Sequence, residues 1–132
     1  MIETFHEPGE GIIYAQGKGY IPLDAFRSWN KDMMAALDNE TRQEIHLVYD
    51  ARHQRGVELN LSGAVEIFSF FNPQTIKWVV LIGSEKNVET QMAGLIAQLF
   101  RLNYRVVRTP ELAREFLLDV DESLVWRDVL GS

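Results

Sequence analysis

The run Ile76-Lys77-Trp78-Val79-Val80-Leu81-Ile82-Gly83 most narrows what this chain can fold into. It is rich in β-branched residues, apolar at consecutive rather than alternate positions, and stops at a glycine, which describes a central strand covered on both faces. Glu44 to Asp50 is a second run of this type. Covering both faces needs helices, and the neighbouring segments have helical spacing. From Pro22, the residues Leu23, Phe26, Trp29, Met33, Met34 and Leu37 recur at three and four positions, predicting an amphipathic helix of about four turns. Ser62 to Phe71 reads as a shorter helix. Asn87 to Leu102 reads as another, capped by Asn87, with Val88, Met92, Leu95, Ile96, Leu99 and Phe100 along one side. Arg105 to Arg108 is a short strand, and Thr109 with Pro110 opens a last helix that turns Leu112, Ala113, Phe116 and Leu117 inward. At the start, Ile2 to His6 and Gly11 to Lys18 form a hairpin across Pro8-Gly9.

Alternation of this kind predicts a single-domain α/β fold: a mainly parallel sheet of about five strands, with an N-terminal hairpin and helices packed against it. At 132 residues and 46% hydrophobic, the chain can build one core but not two ordinary domains. It has no cysteine and its histidines, His6, His46 and His53, are scattered, so neither a disulfide framework nor a metal centre is expected, and no cofactor is implied. The net charge is −6, of which −4 lies from Glu111 onward, leaving a nearly balanced body without the basic field that phosphate backbones require. Nucleic acid is not an expected partner. With no signal-like amino terminus and no run of about 18 apolar residues, the expectation is a cytoplasmic protein that does not span a membrane.

Ligands of open α/β sheets collect beyond the carboxyl ends of the strands. That rule selects Asp50, Arg52, His53 and Arg55, read as a loop, then Ser62 at a helix start, Gly83, Ser84 and Lys86 after the central strand, and Arg108 and Thr109 after the last. Arg52, His53 and Arg55 beside helix amides suit an anion, although a solvated loop paired with Asp50 or Glu58 is the favoured reading. His46, inside an apolar strand, reads as a hydrogen-bonded core residue. The glycines of "GEGIIYAQGKGY" match neither a P-loop nor a dinucleotide fingerprint and read as turn and strand-end residues. No Gly-x-Ser-x-Gly elbow surrounds Ser62, so a hydrolase built from Ser62, His53 and Asp50 is not expected, and no catalytic residue is assigned.

The element order and the segments "HLVYDAR", "NLSG" and "KWVVLIGS" resemble STAS domains, the sulfate transporter and anti-sigma factor antagonist type, and within them the stand-alone SpoIIAA-like branch. That fold is related to the lipid-binding CRAL-TRIO domains. The resemblance spans residues 1–118. In phosphorylatable members an Asp-Ser-Ser-Gly motif opens the second helix and the hydroxyl before the glycine accepts phosphate. Here Ser62 and Gly63 match, while Asn60 replaces the acid and Leu61 the first hydroxyl. The resemblance implies a non-enzymatic regulatory or protein-interaction module with a protein partner; the alternative is a binder of a small anionic, amphipathic or lipid-like ligand at the strand ends. Ser62 is expected to cap its helix. Residues 119–132 form an acidic extension in which Leu124, Val125, Trp126, Val129 and Leu130 read as a short helix. Leu124, Trp126, Val129 and Leu130 need cover, from the domain itself or from a second copy in a homodimer.

Overall fold

The computed structural model describes residues 1–131; Ser132, the last residue of the expected extension, lies outside the described residues. Strands β1 (Ile2–His6) and β2 (Ile12–Ile21) pair antiparallel, as the hairpin reading requires. Helix α1 (Leu23–Asn39) carries the chain to β3 (Ile45–Val57), α2 (Leu61–Ile67) to β4 (Ile76–Ile82), and α3 (Val88–Leu99) to β5 (Asn103–Val107), before α4 (Pro110–Val120). The sheet runs β1-β2-β3-β4-β5 and the last four strands are mutually parallel. Spatial order therefore equals chain order. Successive right-handed crossovers that always step the same way place their helices on one side, so α1, α2 and α3 share the front face.

The pleat divides the strands accordingly. Ile13, Ala15, Leu47, Tyr49, Val79 and Leu81 belong to the core under α1–α3, with Phe26, Trp29 and Met33 of α1 and Ile96 of α3. Ile12, Tyr14, Val48, Val80 and Ile82 point to the back. One helix is too narrow to cover that face. Helix α4 supplies Ala113 and Leu117, and the chain after it supplies Leu124 and Leu130, each only 5% exposed. This segment is not the expected helix: no helix follows Val120 among the described residues, and it runs as irregular chain across β2. The reason is that its polar backbone is spoken for. Val125 N–H donates to the Glu10 carbonyl at 3.1 Å, Arg127 N–H to the Tyr14 hydroxyl at 2.8 Å, and the Leu130 carbonyl accepts from Gln16 and Arg52. Trp126 packs edge-on against Tyr14 at 5.2 Å. Leu124 and Leu130 thus take their cover from the domain itself, one of the two sources expected, while Trp126 and Val129 remain half-buried.

Helix ends follow the polar residues that precede them. Asn87 and Thr109 cap α3 and α4 by accepting from Thr90 and Leu112 N–H. Glu58 performs the equivalent task for α1 from outside, accepting Leu23 N–H at 2.9 Å. At the other end of α1, Glu40 takes three backbone N–H groups, of Gly9, Thr41 and Arg42, and lies 3.0 Å from His6. Burial alone would raise this carboxyl, but the His6 contact and the three N–H bonds outweigh it and bring the pKa down to about 2. Other expectations shift. α2 ends at Ile67 rather than Phe71, because Phe68, Phe70 and Phe71 leave the helix to join Trp29 in an aromatic cluster. Gly17 is inside β2, not at its end, and a Cβ there would collide with the Gln54 carboxamide and the Tyr49 hydroxyl, which are hydrogen-bonded to each other. His46 is buried, yet its Nδ1 has no partner among the described residues.

Truncating Leu124 or Leu130 to alanine is expected to cost about 2–5 kcal/mol of unfolding free energy in urea; an unchanged midpoint would show that the segment lies outside the core. Because the Glu40 pKa is depressed on folding, its stabilisation is complete above about pH 4.5 and is lost as pH falls toward 2. Glu40→Gln should therefore flatten the acid limb of stability against pH, removing at most about 3 kcal/mol near neutrality, and an acid limb identical to wild type would contradict this role.

Candidate functional site

The residues selected from the sequence do not converge. Pairing of β3 with β4 stops at Asp50 opposite Ile82, but pairing with β2 continues, through two register shifts, to Val57 opposite Ile21. Arg52, His53 and Arg55 therefore lie on a protruding strand, not in a loop. Asp50 is completely buried toward the back face. Its carboxylate accepts from Arg52 Nε and Nη2, both at 2.9 Å, from Arg52 N–H at 3.1 Å and from Gln16 Nε2 at 3.0 Å. Burial pushes the Asp50 pKa up, and the Arg52 and Gln16 hydrogen bonds more than reverse this, leaving it below the usual carboxylate range. Arg52 Nη2 and Gln16 Nε2 then both donate to the Leu130 carbonyl, at 3.3 and 3.2 Å. This cluster is a clamp on the chain after α4.

His53 and Arg55 are exposed and make no ion pair or side-chain hydrogen bond among the described residues. The cap of α2 is Asn60, whose Oδ1 accepts Gly63 N–H at 2.7 Å, so Ser62 is not the expected cap. Its hydroxyl is exposed and has no partner among the described residues. Gly83 N–H donates to the Val107 carbonyl at 2.8 Å, and Ser84 Oγ accepts Lys86 N–H at 3.3 Å, a local turn before α3. Asp50 faces the back of the sheet and α2 covers the front, so the sheet separates Asp50 from Ser62. No group of three or more His, Asp or Glu side chains is placed to hold a metal among the described residues.

The physical reason is topological. A strand-end crevice opens where the strand order reverses and adjacent crossovers part to opposite faces. Here the order never reverses, and α1–α3 stay together.

What the structure opens instead is a hollow of about 90 Å³ between the front of the sheet, helices α1 and α3, and the segments flanking α2. Its floor is buried Trp29, Leu47, Tyr49, Phe68, Val79, Leu81 and Ile96; its rim is half-buried Ala51, Gln54, Val57, Phe71, Glu89, Met92 and Ala93. Glu89 is its single charged lining residue. The Trp29 indole N–H, buried in this wall, has no hydrogen-bond partner among the described residues. Native cores leave few voids larger than a water molecule. Sequence reasoning missed it, although a signal exists: Ala93 and Ala97, four apart on the inner side of α3, put methyl groups where larger side chains would close the space.

A second surface lies outside. The apolar residues of α3 are expected along one side, but only Thr90, Ile96 and Ala97 are buried, and Val88, Leu95 and Leu99 are 72%, 49% and 51% exposed. Its neighbour α2 exposes Leu61 and Val65, the latter 57%.

A one-way sheet with an antiparallel first strand, three helices in front and one behind defines a SpoIIAA-like fold. A solved structure shares it: an uncharacterised protein of the DUF3478 family, with a SpoIIAA-like fold, from Shewanella loihica PV-4 superposes with a TM-score of 0.64, covering 89% of this chain and 92% of its own at 13% identity. That likeness establishes the architecture alone. No family model matches the sequence, and no curated protein matches it. No helix among the described residues is long and apolar enough to cross a membrane.

The clamp and the exposed arginine separate by mutation. Arg52→Met strands a buried carboxylate and is expected to destabilise the protein by about 3 kcal/mol or more, whereas Arg55→Met should change stability by no more than about 0.5 kcal/mol. Equal effects in thermal or urea unfolding would show that Asp50 is not held as described.

Proposed function

We propose that this chain is a non-enzymatic regulatory or protein-interaction module that meets a protein partner through the outer faces of α2 and α3. The observation that carries the reading is α3 itself, apolar on both sides yet covered on one. Exposed apolar side chains repeated along one helix face call for cover, and within the monomer Val88, Leu95 and Leu99 have none. Leu61 and Val65 extend the same chemistry onto the adjacent helix, giving the clustered exposed apolar side chains that mark interaction surfaces. The SpoIIAA-like fold is consistent with such a role. Ser62 gives the surface a means of control. Its free hydroxyl is next to Leu61 on α2, so a charge added there puts an ionic group against an apolar contact. Asn60 and Gly63 serve this arrangement by fixing the start of α2, leaving Ser62 unencumbered.

The test is site-specific photo-crosslinking in cells, with a benzophenone amino acid at Leu95 and, as control, at Arg114 on the exposed side of α4. An adduct of defined mass should form from position 95 and not from 114. Leu99→Asp and Ser62→Asp should each reduce it at least tenfold while leaving the melting temperature within a few degrees of wild type. Absence of an adduct from position 95, or an adduct indifferent to both substitutions, would overturn the proposal.

A further inference from the structure

We infer that the front-face hollow is a binding site for a small, uncharged, largely aliphatic molecule with a hydroxyl-like polar end. This inference does not depend on the protein-interaction reading. Size comes first: about 90 Å³ is far more than one water needs, and the apolar floor offers water too few partners to hold it. The hollow is also reachable, since its floor is buried while its rim, from Ala51 and Gln54 on β3 to Met92 and Ala93 on α3, is half-exposed. Charge then selects the ligand. Glu89 is the single ionic group of the lining and no cation accompanies it, so a carboxylate or phosphate entering here would lose its hydration with nothing to replace it and would meet a like charge. Arg52 cannot assist, because it is engaged by Asp50 and Leu130 on the other side of the sheet.

A polar end is nevertheless accommodated. The hydrogen-bonded Tyr49 hydroxyl and Gln54 carboxamide stand at the wall, and beyond Asp50 the edge of β3 toward β4 has no strand partner, leaving main-chain groups beside the mouth. A short alcohol satisfies both requirements: its chain replaces empty space over Trp29 and Phe68, and its oxygen can donate and accept at the rim. Gly17 belongs to the same device, because the space a side chain would take there is occupied by the Tyr49–Gln54 pair.

Butan-1-ol and butanoate, equal in chain length and different in charge, provide the test on the full chain by protein-observed NMR. Butan-1-ol is expected to give saturable shifts at the Trp29 indole N–H and the Met92 methyl, with butanoate at least tenfold weaker. Ala93→Leu, which fills the hollow from α3, should weaken butan-1-ol binding at least tenfold without lowering the melting temperature; should that variant fail to fold, Ala51→Leu fills it from the opposite rim. No saturable response to butan-1-ol, an equal response to butanoate, or undiminished binding in a folded filled variant would overturn the inference.

Discussion

The crossovers of this sheet cover only one of its two faces, and the other must be covered by different means. Because β2 to β5 advance in one direction, right-handed connections deliver α1, α2 and α3 to the front. The back presents Ile12, Tyr14, Val48, Val80 and Ile82 with no crossover helix to meet them. Helix α4 shields part of that face and the chain beyond it shields the remainder, over β2. The polar clamp follows from this need. An irregular segment laid on an apolar sheet must still hydrogen-bond its backbone, and Gln16, Arg52 and Tyr14 are the groups that do so. Asp50 is charged and buried because it orients Arg52 and Gln16 for that purpose.

This explains how the sequence could be legible in outline and misleading at the site. Strands and helices announced themselves through local properties: the β-branched run of β4, the three-four spacing of α1, and Asn87 and Thr109 ahead of α3 and α4. Those signals are contained within a dozen residues. The roles of Asp50 and Arg52 are not, since they are set by Leu130, 78 residues from Arg52 in the chain. An Asp-x-Arg pair at a strand end looks the same whether it faces a ligand or a carbonyl. Ser62 and Asn60 are both residue types that can cap a helix, and the start of α2 at Leu61 makes Asn60 the cap. The hollow escaped notice because it is a property of packing between segments, hinted at only by two alanines.

The front face divides its labour in depth. Its aromatic cluster, with Trp29 against Tyr49, Phe68 and Phe70 at ring separations of 5.1–5.7 Å, ties α1 to β3 and to the segment after α2. Above that rigid layer, α3 turns Ala93 and Ala97 inward beside Met92 and Ile96 and leaves Val88, Leu95 and Leu99 outside. The two unusual features, space beneath the helix and apolar surface upon it, therefore have one origin in the sequence of α3.

The late-arriving cover of the back face has a consequence for how the molecule is made. On a ribosome, every strand exists before Leu124 and Leu130 have been added. Until those residues dock, a sheet formed from the earlier strands lacks Leu124 and Leu130 on its back face, and the Asp50–Arg52 pair lacks its carbonyl. The fold is thus completed by a stretch that contributes no strand and no helix, and the surface left bare without it lies on β2 and β3.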